Sequence, residues 1–255
     1  MSLDKTKLRG ALIGTLLGDS WIIHSKQDNS YKFGCEQINK SLIEYKYKLI
    51  EYYCTKRKKP IGKIRVRNRE PRIISNNKVS VFKPTYSFLV GHPYFKFLYK
   101  IFYSNGSKQV TINTLKYLTI EGLALWYMDD GYIYYTASNG TRYLDFATDG
   151  FDLYSCKNIR RYFKEYHNLD CKIIEHKKNK NSNIKYRIRF NSQNAQKLIC
   201  TIYPYILDDF KYKLNLKYKH NPKYLKNILP EYLIIMQKEF GLKTVCTIIN
   251  SEDIV

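Results

Sequence analysis

Apolar residues run almost unbroken from Leu8 to Asp19 (LRGALIGTLLGD), behind the polar Asp4-Lys5-Thr6-Lys7, and predict a buried helix. A second apolar segment, Leu118 to Asp130 (LTIEGLALWYMDD), has Thr119 in N-cap position and Glu121 in its first turn. Both segments end on Asp, and an aromatic, β-prone run follows each: Trp21-Ile22-Ile23 and Tyr132-Ile133-Tyr134-Tyr135. Tyr31 to Cys35 and Tyr143 to Ala147 predict the return strands of two hairpins. Helical patterns come next, over Ser41 to Arg57 and Asp152 to His167. Alternating runs follow, Lys63-Ile64-Arg65-Val66-Arg67 answering Lys185-Tyr186-Arg187-Ile188-Arg189. An amphipathic helix closes each unit, near Pro93 to Tyr103 and Gln193 to Ile206.

The chain thus reads as helix–strand–strand–helix–strand–strand–helix written twice, an α+β protein with two similar halves. The terminal aspartates are 130 − 19 = 111 residues apart, too long for a solenoid repeat and suited to a duplicated domain. The expected division is 1–107, 108–220 and a C-terminal extension 221–255, with the link at Ser104 to Lys108 and a helix near Pro230 to Phe240.

Charge changes the picture. With 44 Lys and Arg against 22 Asp and Glu, the formal net charge is +22. Such an excess costs self-repulsion and points to a polyanionic partner; nucleic acid is the obvious one. A hydrophobic content of 44% excludes a disordered tail protein. The six cysteines, at 35, 54, 156, 171, 200 and 246, are never closer than 15 residues, which excludes CxxC and zinc-knuckle spacings and leaves reduced core thiols. No cationic leader precedes an apolar stretch and no apolar run reaches membrane-spanning length, so a soluble, intracellular protein with no membrane partner is expected. The Tyr, Ile, Lys and Asn bias suits an AT-rich genome, without separating an organelle from a phage or a bacterium.

Two features of the acidic-ended helices carry chemistry. Gly10, Gly14 and Gly18 recur every four residues, although mid-helix Gly costs about 0.8–1.0 kcal/mol relative to Ala. Three on one face make sense if another helix packs closely there. Asp19 and Asp130 lie at the negative end of the helix dipole, an unfavourable contact of ~0.3–1 kcal/mol each. A divalent cation reverses that sign, because carboxylates and free carbonyls become its ligands.

The segments Leu12-Ile13-Gly14-Thr15-Leu16-Leu17-Gly18-Asp19-Ser20 and Leu123-Ala124-Leu125-Trp126-Tyr127-Met128-Asp129-Asp130-Gly131 resemble the two motifs of single-chain LAGLIDADG homing endonucleases of the compact intron-encoded type. Departures occur at Ser20, where the family has Gly, and at Leu125 and Trp126, where smaller residues are usual. The resemblance covers roughly residues 8 to 218. It implies two pseudo-symmetric αββαββα halves, motif helices at their interface, and a saddle of antiparallel sheets. It implies a monomer that hydrolyses both strands of a long DNA site and leaves 3′ overhangs. Asp19 and Asp130 would be catalytic and would hold divalent metal, helped by the carbonyls of Gly18 and Asp129. Mg2+ is the expected metal, with Mn2+ as a substitute and Ca2+ binding without cleavage. Lys108 and Lys213 would complete the site, with Lys211 a competitor for Lys213.

Recognition falls on the alternating runs. Period two puts Lys63, Arg65 and Arg67 on one strand face opposite Ile64 and Val66; Lys185, Arg187 and Arg189 stand likewise opposite Tyr186 and Ile188. Such basic faces suit a major groove, with Arg able to pair bidentately with guanine. The runs Lys56 to Lys59 and Lys177 to Lys180 suit phosphate contacts. Two alternatives remain open: an intron RNA maturase and a non-catalytic DNA-binding regulator. Retention of both acids favours cleavage. A start at Met1 close to the first motif favours a free or intron-borne reading frame over an intein.

Overall fold

A computed structural model describes residues 5–54, 61–68, 70, 72–74, 78–80, 82–103, 106–136, 141–177, 183–214, 216 and 229–240. The first repeat comprises α1 (Lys5–Leu17), β1 (Ser20–Ser25), β2 (Ser30–Gln37), α2 (Lys40–Cys54), β3 (Arg65–Arg67), β4 (Arg72–Ile74), β5 (Lys78–Ser80), β6 (Thr85–Gly91) and α3 (Phe95–Phe102). After the short α4 (Ile112–Leu115), the second comprises α5 (Ile120–Asp130), β7 (Gly131–Thr136), β8 (Thr141–Phe146), α6 (Leu153–His167), β9 (Cys171–His176), β10 (Lys185–Phe190) and α7 (Ser192–Ile202). Two 3₁₀ segments, Tyr203–Tyr205 and Asp208–Leu214, lead on towards α8 (Pro230–Phe240).

Side-chain caps set several of these starts. Thr119 accepts from Gly122 N, Asp152 from Ser155 N and Asn191 from Asn194 N, each satisfying an orphan helix donor. The last turn predicted for the first motif helix opens earlier than expected: α1 stops at Leu17, with Gly18 and Asp19 in a turn. The helix predicted to Ile206 stops at Ile202, and Pro204, which has no N–H to donate, sits in the 3₁₀ turn beyond it. The predicted end of α2 at Arg57 lies outside the described residues.

Each repeat folds its strands into one antiparallel sheet, ordered β1-β2-β6-β3 and β7-β8-β10-β9, with β4 and β5 forming a separate hairpin. The duplication persists at atomic register. Ser20 pairs with Cys35 and Gly131 with Phe146, and both differences, 131 − 20 and 146 − 35, equal the 111 separating the aspartates. The later strands overturn one expected equivalence. β3, carrying Arg65 and Arg67, is an edge strand and answers β9; β10, carrying Arg187 and Arg189, is interior and answers β6. The β4–β5 insertion displaces the first half's last strand in sequence, so similarity of composition matched the wrong pair.

One face of each sheet lies on the core. Phe33, Phe88 and Phe95 pack ring against ring in the first half, and Trp126, Phe146, Phe163 and Phe190 in the second, mostly in tilted or edge-on pairs. Trp126, one of the bulky departures from the family pattern, points into this second core and leaves the helix seam to glycine. α1 and α5 meet there so closely that a Cβ on Gly14 would lie 1.9 Å from the Gly122 carbonyl oxygen, and one on Gly122 would lie 2.1 Å from that of Gly10. Gly14→Ala is therefore expected to destabilise the protein by about 1–3 kcal/mol through overpacking, despite the better helix propensity of Ala. A denaturant midpoint unchanged or raised would refute that seam.

α8 forms over the predicted residues and docks on α7. Leu229 N donates to Gln196 Oε1 at 2.9 Å, and Tyr232, Ile235 and Met236 are buried. Among the described residues no helix is long and apolar enough to cross a membrane, and the five described cysteines are free thiols.

Candidate active site and nucleic-acid interface

The seam brings the C-terminal ends of α1 and α5 together, and with them Asp19, Asp129 and Asp130. Asp19 lies at the mouth, open to solvent as a residue but with its carboxyl partly desolvated against the helix ends, beside a cleft of about 650 Å³ that Gln37, Asp129, Phe210 and Lys213 also line. Asp130 lines a second cleft of about 400 Å³ with Gly131, Tyr132 and Lys213. Burial lifts the Asp130 carboxyl from its ordinary 3.8 to about 7, and the charges of Asp19 and Asp129 add to that effect. Asp19 is raised too, first by desolvation and then by Asp129, although three lysines oppose the change. Two carboxylates held where neither ionises comfortably form a site that gains from a cation.

A lysine reaches each helix end. Lys108 Nζ donates to Gly18 O at 3.3 Å and Ser20 O at 3.1 Å. Lys213 Nζ donates to Met128 O at 2.6 Å and Asp129 O at 3.0 Å. Burial lowers both, Lys108 to about 8. Lys211, the competitor for Lys213, pairs instead with Asp208 and Glu239, both at 2.8 Å. The carbonyls of Gly18 and Asp129, expected to assist a metal, already accept from these ammonium groups.

Sequence reasoning missed Lys46 and Gln37. Lys46 is fully buried and donates to both Asp129 oxygens at 2.7 Å. Burial pulls its pKa down, but the Asp129 carboxylate and its neighbours outweigh that and hold it above the ordinary value. Gln37 Nε2 bridges Asp129 Oδ1 at 2.5 Å and Asp19 Oδ2 at 3.2 Å, while Asp19 N donates to Asp129 Oδ2 at 3.1 Å. Asp129 is thus committed to organising Asp19, across the space that Gly18 leaves open. A signal for Lys46 did exist: it occupies the apolar stripe of α2, between Leu42, Ile43, Leu49 and Ile50, where a lysine must find a buried partner.

Among the described residues no three His, Cys, Asp or Glu side chains are grouped to hold a metal on their own. The donor set present is two carboxylates, with water and phosphate oxygens left to complete a shell. That suits a hard cation such as Mg2+, which keeps several waters and binds through one or two carboxylates plus substrate phosphates.

On β10 Ile188 is buried and Tyr186 packs partly buried against the core, with Phe190 continuing that face, while Lys185, Arg187 and Arg189 alternate with them on the other. Of these, Arg189 and Arg187 are already engaged, with Asp145 and with Asp149 and Tyr132. In the first sheet Lys63, Arg65 and Arg67 are exposed, and no described residue hydrogen-bonds to their side chains. Val66, expected to face inward, is 59% exposed on the three-residue edge strand β3. The run Lys56 to Lys59 lies outside the described residues, as do Lys178 to Lys180; Lys177 is exposed.

Comparison with known proteins bears on this arrangement. A model of the LAGLIDADG DNA endonuclease family matches residues 9–198. "Probable intron-encoded endonuclease 1" of Wickerhamomyces canadensis is 28% identical over 205 residues, 80% of this chain and 81% of that one. "Probable intron-encoded DNA endonuclease 3" of Mycosarcoma maydis is 30% identical over 128 residues, 48% of this chain and 87% of that one. In fold, the chain is similar to the homing endonuclease I-WcaI, solved bound to its DNA recognition sequence, with a TM-score of 0.66, 24% identity, and coverage of 84% of this chain and 88% of that one.

Proposed function

The chain belongs to the LAGLIDADG DNA endonuclease family, and from that premise we propose that it is a monomeric homing endonuclease that hydrolyses both strands of a double-stranded DNA site with Mg2+. The observation that carries this is the convergence of Asp19 and Asp130, each raised by burial and by its neighbours' charge, at one helix seam with a lysine at each helix end. Two half-sites in one chain match two strands related by a dyad, so no second copy is needed; the halves divide near residue 107.

In this reading Asp19 and Asp130 would hold the cation. When bound, Mg2+ supplies charge neutralisation at the phosphate and an acidified water. The residues of the chain do the rest. Asp129, clamped by Lys46, fixes the Asp19 backbone; Gln37 orients the Asp19 carboxylate; Lys108 and Lys213 place positive charge where a phosphate oxygen develops negative charge. The open sheet faces hold the duplex through Lys63, Arg65, Arg67, Lys185, Arg187 and Arg189. Keeping both acids supports cleavage over a purely RNA-splicing role, which needs neither.

The test is incubation of the protein and Mg2+ with a randomised duplex pool, followed by sequencing of cut ends; staggered 3′ ends at one motif are expected. Absence of any cut product, with intron RNA bound instead, would transfer the reading to a maturase. Lys213→Met is expected to slow cutting by about 10²–10³-fold, the loss typical of one transition-state donor, whereas Lys211→Met is expected to change it far less. Equal losses would show that the 3₁₀ segment matters only as a scaffold.

A further inference from the structure

The two sheets solve the same three positions in opposite ways. By the 111-residue offset Tyr132 answers Trp21 and Asp145 answers Gly34; across the next strand Arg189 pairs with Asp145 as Leu89 pairs with Gly34. In the first half this spot is an apolar platform: a Cβ on Gly34 would lie 2.6 Å from the Trp21 ring, and Leu89 is 49% exposed. In the second half a buried carboxylate stands there. Asp145 is fully buried and takes Arg189 Nε at 2.8 Å and Nη2 at 2.7 Å, while Tyr132 OH donates to its Oδ2 at 3.2 Å. The Arg189 guanidinium carbon also lies 5.0 Å from the Tyr143 ring and 5.5 Å from that of Tyr134.

A side-on clamp of this kind uses Nε and one proton of Nη2. It leaves Nη1 and the second Nη2 proton as a parallel pair of donors on the outer edge. The side chain keeps a quarter of its surface open, and Nη1 is not one of the buried, unpartnered side-chain nitrogens of the described residues. Flanking rings and a buried carboxylate together remove the rotamer freedom an arginine normally loses on binding. Two parallel donors in a fixed plane match the O6 and N7 acceptors of guanine in the major groove. A phosphate contact would not need this arrangement, since any mobile lysine serves.

We propose that Arg189, held by Asp145, is a specificity-determining residue that requires guanine at one position of the target, whereas the equivalent spot of the first sheet, Trp21–Gly34–Leu89, reads by apolar contact. Arg65 and Arg67, exposed on an edge strand and clamped by no described residue, serve the backbone. The proposal deepens the DNA endonuclease reading and rests on it.

The test uses the full chain. Wild-type protein selects duplexes from a randomised pool with Ca2+, and the enriched site is rebuilt as a panel carrying every single-base change. Wild type is expected to require guanine at one position in the second half-site, with about 10- to 100-fold weaker binding for any other base there. Arg189→Lys and Asp145→Asn are each expected to flatten that position and leave the remaining profile in place. If Asp145→Asn does not fold, judged by near-ultraviolet circular dichroism, Arg189→Lys decides alone, because it keeps the charge but not the paired donors. A variant profile that overlays wild type, or one that weakens evenly at every position, overturns the proposal. A wild-type pool with no enriched duplex fails earlier, and removes the nuclease reading itself.

Discussion

Asp19→Asn or Asp130→Asn is expected to lower double-strand cleavage by more than about 100-fold, beyond the 10–100-fold typical of losing an outer-shell partner of a metal, while duplex binding persists. Binding persists because neither acid lies on the basic sheet faces. The same substitutions carry a second signature that a structural residue would not give. The Asp130 carboxyl is raised from 3.8 to about 7 in the folded chain, first by burial and then by the charges of Asp19 and Asp129. Its proton is therefore held more tightly folded than unfolded. The stability this contributes is complete below pH ~4 and is lost as pH rises through about 7. Asp130→Asn removes that dependence. In chelator, the variant is expected to gain in melting temperature relative to wild type between pH 5 and pH 8, at the cost of its activity. Stability and catalysis pull apart at such a site because the charges are gathered there for a ligand. A melting difference independent of pH, or a cleaving Asn variant, would count against both acids.

How much of this was legible in the sequence depends on the range of the interaction concerned. The helix seam was legible because Gly10, Gly14 and Gly18 carry a local cost that nothing local repays. Asp19 and Asp130 stood out for a similar reason, as acids at the wrong helix end. Lys213 could not be separated from Lys211 by context; it took Glu239, 28 residues on from Lys211, to occupy the competitor. The two basic runs looked equivalent because alternation reports a strand's faces and not its neighbours. Whether Arg189 is clamped depends on Asp145, 44 residues away across a strand pair. Gln37 at the end of β2 gave no sequence signal at all, since a polar residue leaving a strand is ordinary.

The other large effect belongs to a residue outside the duplicated pattern. Lys46 is the seventh residue of α2, and the seventh residue of the equal-length α6 is the buried Ile159, so this helix position holds a cation in the first half and an apolar side chain in the second. Its partner Asp129 is likewise single, Gly18 being the equivalent in the first motif. Lys46→Met keeps a side chain of similar length in the stripe but leaves a carboxylate with 0% exposure without its ion-pair partner, the charges of Lys108 and Lys213 acting on it only from a greater distance. Breaking such a pair by removing one partner costs about 3–5 kcal/mol, because the desolvation of the remaining charge is no longer offset. Lys46→Met is expected to lower the unfolding free energy by that amount, read as a lower denaturation midpoint at an unchanged m-value. Lys46→Met combined with Asp129→Asn removes both charges and is expected to recover part of the loss, with a coupling of about 0.5–3 kcal/mol. Because Lys46 is held above its ordinary pKa, its contribution is fully present below pH 10.5 and fades only at higher alkalinity. A single-mutant cost under about 1 kcal/mol, or strict additivity in the cycle, would mean that Asp129 is organised by Gln37 and the seam alone.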